Sequence, residues 1–98
     1  MFDHFAQRQG QHFALLLDDG GELQTELLEV RALPAPAHAE LKPFSLLFKG
    51  PAAPLLPQRI YRLRQPQAAG ETATEELEIF IVPVRADATG VHYEAVFS

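Results

Sequence analysis

Two segments decide the fold: Arg59-Ile60-Tyr61-Arg62-Leu63-Arg64 and Glu76-Leu77-Glu78-Ile79-Phe80-Ile81-Val82. Both alternate with a period of two, which puts successive side chains on opposite faces of an extended strand. Set antiparallel with Arg64 opposite Glu76, Arg62 falls opposite Glu78, while Leu63 meets Leu77 and Tyr61 meets Ile79 on the other face. Ion pairing and hydrophobic contact select one register, and a one-residue slip loses both. The residues between, from Gln65 to Glu75, hold Pro66, Gly70 and several Ala and Thr, the composition of a surface loop. From Phe80 to Val84 both parities are apolar except at Pro83, which predicts a strand covered on both sides near its end and makes this strand the candidate centre of the core. On that reading Phe44, Leu46, Phe48, Tyr61, Leu63, Leu77, Ile79, Phe80 and Val82 are mostly buried, and truncating Phe80 to Ala costs roughly 3–5 kcal/mol.

Downstream, Val91-His92-Tyr93-Glu94-Ala95-Val96-Phe97-Ser98 alternates as cleanly, with Val91, Tyr93, Ala95 and Phe97 on one face. This strand holds no proline and only Glu94 as a charge, so at a sheet edge it lacks the residues that discourage strand addition. The alternative is a strand paired on both sides that closes a barrel. Upstream, Phe44, Leu46 and Phe48 alternate with Ser45, Leu47 and Lys49 before Gly50-Pro51 stops the strand. Leu55-Leu56, held between Pro54 and Pro57, reads as a loop whose leucines fold back onto the core.

Nearer the N-terminus, Phe13-Ala14-Leu15-Leu16-Leu17 and the run from Leu23 to Arg31 flank Asp18-Asp19-Gly20-Gly21-Glu22, a hairpin signal. Placing Leu17 opposite Leu23 sets Leu15 against Thr25 and Phe13 against Leu27, and gathers one apolar face. The apolar phase changes between Leu27 and Leu28, which a β-bulge or a crossing between sheets explains. Pro34, Pro36 and Pro43 make the stretch from Ala32 to Pro43 an extended connection, since each removes a ladder donor. Phe2 and Phe5, with Gly10 placed as a terminator, invite one or two helical turns. The sum is a single all-β domain over residues 1–98. Its form is a small six-stranded sandwich or partly closed barrel, in meander-like order, with a short N-terminal helical turn.

A chain of 98 residues suits one hydrophobic core, and its 47% hydrophobic content supplies enough apolar surface to offset chain entropy. With 13 acidic against 8 basic side chains the net charge is −5, which repels phosphate backbones and anionic lipid, so neither nucleic acid nor membrane is an expected partner. Without cysteine there is no disulfide, thiolate metal site or cysteine nucleophile. The N-terminal residues hold an early Asp3 and no apolar run long enough for a signal peptide or a membrane span, so a cytoplasmic location is expected.

The residues that carry chemistry form no recognised constellation. His4, His12, His38 and His92 stand at no metal-ligand spacing, and surface or satisfied histidines account for them. His92 and Glu94 share a strand face, which suits an oriented imidazole and equally a solvated surface. Ser45 lacks the Gly-x-Ser-x-Gly elbow that presents a nucleophile. Asp18 and Asp19 before Gly20-Gly21 are ordinary hairpin-tip chemistry before they are paired carboxylates, and the glycines precede no helix that would cradle a phosphate. Arg59, Arg62 and Arg64 around Tyr61 resemble a small nucleic-acid-binding strand, but Glu76 and Glu78 stand ready to neutralise two of them. No catalytic, cofactor or metal site is assigned.

The run Pro43-Phe44-Ser45-Leu46-Leu47-Phe48-Lys49-Gly50-Pro51, then Leu56-Pro57-Gln58 with Tyr61, Ile79-Phe80-Ile81-Val82-Pro83-Val84 and Tyr93-Glu94-Ala95-Val96-Phe97, resembles a family of roughly hundred-residue bacterial proteins without assigned function. The chain departs from that family in its longer, alanine-rich loop before Glu75, which leaves the length of that hairpin open. The resemblance implies no catalytic residue. It implies genes that neighbour phage-tail-collar-like proteins, hence a part in a tail-derived assembly. A non-catalytic interaction or structural subunit is therefore expected, with another protein or a second copy of the chain as partner. The alternatives are a small-ligand-binding β-barrel, or an enzyme whose site is not readable from sequence.

Overall fold

The computed structural model describes residues 5–35, 43–64 and 76–97. Six antiparallel strands, β1 (His12–Leu16), β2 (Glu22–Ala32), β3 (Phe44–Gly50), β4 (Arg59–Arg64), β5 (Glu76–Asp87) and β6 (Gly90–Phe97), close into a barrel in the order β1-β2-β3-β6-β5-β4. The barrel form of the all-β expectation is the one observed. The order corrects the single meander: β1-β2-β3 and β4-β5-β6 are two meanders, joined where β6 pairs with β3 and β4 with β1. On β3, Phe48 faces Tyr93, Leu46 faces Ala95 and Phe44 faces Phe97, so β6 brings a complementary apolar row to that edge.

The β4–β5 register is the one read from sequence, running from Arg59 opposite Ile81 to Arg64 opposite Glu76. The β1–β2 register differs from expectation: Phe13 lies opposite Thr25 and Leu15 opposite Leu23, two residues tighter than the pairing of Leu17 with Leu23. The tip explains it. The Leu17 N–H donates to the Gly21 carbonyl at 2.9 Å, the Gly20 N–H donates to the Leu17 carbonyl at 3.1 Å, and Asp19 Oδ1 accepts from the Gly21 N–H at 2.8 Å. With Gly20 at φ 87°, a conformation that suits glycine, the chain reverses over Asp18-Asp19-Gly20. A shift of two keeps parity, so the same face is buried. Thr25 then lies inside at 1% exposure, with Oγ1 donating to the Phe13 carbonyl at 2.9 Å.

The phase change in β2 is a bulge, with the β2–β3 register shifting between Leu27 and Glu29. β2 there leaves β1 for β3. The terminal strand is no open edge: β6 pairs with β3 from Phe97–Phe44 to Val91–Gly50, and with β5 from Glu94–Val82 to Gly90–Asp87. Strand addition to an exposed β6 is thereby overturned for that doubly paired stretch. Only its last residues, past Glu94, lie beyond the β5 ladder.

The core follows the alternation. Phe13, Leu15, Leu27, Leu46, Phe48, Leu63, Ile81, Val91 and Tyr93 are essentially inaccessible. Phe5, on a helical turn whose exit includes Gly10 at φ 90°, lies 6.2 Å from the Phe13 ring and 5.9 Å from Phe97, which stacks on Phe44 at 4.7 Å. Leu56 folds back under the barrel, donating its N–H to the Tyr93 hydroxyl at 3.1 Å, whereas Leu55 stays outside at 58% exposure.

The assignment of Phe80 to the core is wrong. Phe80 is 47% exposed, Leu77 and Val82 are half-buried, and Ile79 and Ile81 fill the inward positions. Opposite Phe80 stands Ile60, on the face that carries Arg62 and Glu78. Two-sided apolarity in β5 therefore marks an apolar outer surface. The expected loop between β4 and β5 lies outside the described residues.

Phe48→Ala is expected to cost roughly 3–5 kcal/mol, while Phe80→Ala costs about 1 kcal/mol or less, as read from denaturant unfolding. Gly90 has φ 152°, and a Cβ there would stand 2.5 Å from the Gly50 carbonyl oxygen, so Gly90→Ala forces β3 away from the β5–β6 turn. The same melts should show a loss of about 1–3 kcal/mol for that variant.

Candidate functional site

The outer face of β4 and β5 is where charge and exposed apolar surface meet. Inward Tyr61 and Leu63 force Ile60, Arg62 and Arg64 outward, and inward Ile79 and Ile81 do the same for Glu78 and Phe80. Three cross-strand rows result: Ile60–Phe80, Arg62–Glu78 and Arg64–Glu76. Val84, at the irregularity between Pro83 and Arg85, is 51% exposed, and Val96 is 56% exposed. The β5–β6 ladder ends at Val82–Glu94, so Val96 lies two residues past it on β6.

The ion pairs on this face differ in part from expectation. Arg64 reaches Glu76 at 3.8 Å and also pairs with Glu22 of β2. Arg62 extends diagonally to Glu76 at 3.4 Å rather than straight across to Glu78. All these side chains are at least one-third exposed, so each pair contributes at most about 1 kcal/mol to stability.

Beside these rows lies an open groove of about 450 Å³, with Leu16, Leu17 and Asp18 on one side and Ile60, Arg62 and Glu78 on the other. Its cause is topological: β1 pairs with β4 only from Ala14–Arg64 to Leu16–Arg62, and past that point the strands part. Arg59 bridges the gap, 2.7 Å from Asp18 Oδ2, with its guanidinium carbon 5.2 Å from the centre of the Tyr61 ring. Tyr61 donates its hydroxyl proton to the Pro57 carbonyl at 2.7 Å. Burial raises the Tyr61 phenol above its ordinary value; the Arg59 charge acts the other way, and Tyr93 and Asp18 add to the rise.

The remaining candidates from sequence are scattered. Asp18 belongs to the Arg59 bridge, and Asp19 to the turn. Ser45 lies within β3, opposite Arg31 and Val96, beside a small pocket of about 100 Å³ that Glu94 also lines. His92 stands between Lys49 on one neighbouring strand and Arg85 on the other. His12 is exposed, while His4 and His38 lie outside the described residues. Among the described residues no group of three or more His, Asp or Glu side chains is arranged to hold a metal ion, and no helix is long and apolar enough to cross a membrane. Ile60 and Phe80 are not among the sequence candidates, although the charge register sets them opposite one another.

Fold and site together define a small antiparallel β-barrel, filled by its own side chains and bearing an apolar and charge-segregated patch outside. The chain belongs to the family described as Domain of unknown function (DUF6916), which matches residues 1–97. No curated protein matches the chain, and no solved structure does.

Tyr61 is expected to titrate above the ordinary 10.0. Because its folded-state value is raised, the stability it contributes is complete below the unfolded value and is lost as pH rises through the folded one. Replacing Arg59 with Gln removes the charge that lowers it, so the midpoint should climb further, as followed by NMR of the ring carbon bearing the hydroxyl. A variant midpoint at or below that of the wild type would contradict the Arg59–Tyr61 arrangement.

Proposed function

We propose that this barrel is a non-catalytic interaction or structural subunit that docks through the outer face of β4, β5 and β6. The observation that carries the reading is the placement of Ile60, Phe80, Val84 and Val96 outside, each about half exposed, around a core that is complete without them. Leaving such side chains in water forgoes roughly 25 cal/mol for every Å² that burial would remove from solvent, and apolar side chains left outside, as the cross-strand neighbours Ile60 and Phe80 are, support an interaction site. The partner is another protein, a tail-collar-like component of a phage-tail-derived assembly, met in the bacterial cytoplasm; the family resemblance supports that choice. The ligand-barrel reading gains nothing from the interior, since Phe13, Leu46, Phe48, Leu63, Ile81 and Tyr93 occupy the space that a ligand would need.

Purified Phe80→Ser/Val96→Ser protein should keep its thermal midpoint within a few degrees while its affinity for the tail-collar-like partner falls by roughly 30-fold. Binding isotherms recorded with co-purified partner and both forms of the barrel decide the matter. Equal affinities at equal stability would sink the proposal.

A further inference from the structure

We infer that the β4–β5 part of the docking face binds a second copy of this chain, in a two-fold dimer whose axis runs parallel to the strands, between β4 and β5. The inference rests on the reading of this face as a docking surface and gives its β4–β5 part to the second copy, with which the other protein partner competes for Phe80. A two-fold contact requires a patch that complements itself. Here β4 carries Ile60, Arg62 and Arg64 outward, and β5 carries Phe80, Glu78 and Glu76 at the same three heights. Cations stand on one strand and anions on its neighbour.

A two-fold axis parallel to the strands and lying in the interface keeps every row at its own height while laying β4 of one copy over β5 of the other. Ile60 then meets Phe80 of the second copy, Arg62 meets Glu78, and Arg64 meets Glu76, each contact occurring twice. Displacing the copies by one row, or turning the axis across the strands, sets Arg62 or Glu78 against an apolar side chain or a like charge. Within one copy the middle row is unspent: Arg62, 62% exposed, reaches past Glu78 to Glu76 at 3.4 Å. Both groups therefore have pairing capacity for a neighbour. The apolar row, 58% exposed at Ile60 and 47% at Phe80, supplies the area to be buried, beside a polar rim. The net charge of −5 on each copy opposes association at long range, but at physiological salt it is screened beyond about 8 Å.

Analytical ultracentrifugation at physiological salt, with protein up to about 1 mM, tests the inference. The wild type should show a monomer–dimer equilibrium. Arg62→Glu sets Glu against Glu78 twice, and Glu78→Arg sets Arg against Arg62 twice, so each alone should self-associate on the order of a hundredfold more weakly. An equimolar mixture of the two variants should restore a heterodimer, because each altered residue then meets its opposite. Phe80→Ser, which leaves every charge in place, should dissociate the dimer too. A wild type that stays monomeric throughout overturns the inference, as do charge variants that dimerise like wild type or a mixture that fails to associate. A monomeric wild type whose tail-collar-like binding is lost with Phe80→Ser/Val96→Ser would remove the second copy and keep the docking face. A wild-type dimer whose partner binding ignores that variant would do the reverse.

Discussion

Residues 91–94 of β6 form ladders with β3 on one side and β5 on the other, and the closed wall depends on that double pairing. With β6 in place, inward Val91, Tyr93 and Ala95 cap the apolar rows of β3 and complete the interior, and the Tyr93 hydroxyl draws the proline-bounded loop at Leu56 beneath it. Without it the wall opens into a five-stranded sheet, β3-β2-β1-β4-β5, whose apolar face lies in water. Gly50 and Gly90 show how close the closure is: the Gly50 position lies within 3.3 Å of the Tyr93 ring for any added Cβ, and the Gly90 position meets the Gly50 carbonyl. At Gly90 a side chain is excluded, and at Gly50 the Tyr93 ring would have to give way to one.

How much of this was legible in the sequence follows from what kind of signal each element carried. The β4–β5 pairing was fully readable because charge and hydrophobicity were separate witnesses to one register. The β1–β2 pairing had only one witness, parity, and parity survives a shift of two; the deciding information lay in the hydrogen bonds of Asp19 and Gly20 at the tip. The bulge at Leu28 was visible because a bulge changes parity. Strand order was not readable, since the β3–β6 and β1–β4 contacts join residues far apart in the chain and leave no local trace.

The exposed apolar face of β4 and β5 is legible in the sequence, and the rule of two-sided burial hides it. Once Tyr61 faces Ile79, Ile60 must face Phe80 on the side of Arg62, so the register itself put Phe80 outside. Counting apolar residues on both parities suggested burial on both faces, a rule that belongs to strands sandwiched between layers and fails in a small barrel, whose wall has one dry side. The groove beside Arg59 was not legible at all. It arises where the β1–β4 ladder stops, and the length of a ladder between distant strands is a property of the closed wall rather than of either segment.

The two lines along which the meanders meet are unequal. One runs the whole of β3, from Phe44–Phe97 to Gly50–Val91, while the other spans only Ala14–Arg64 to Leu16–Arg62. A wall closed this way has a hinge and a latch. Thermal opening, pulling force or a probing protease should part β1 from β4 first, with β3 and β6 still zipped, so that the molecule unrolls into one continuous curved sheet before it loses its strands.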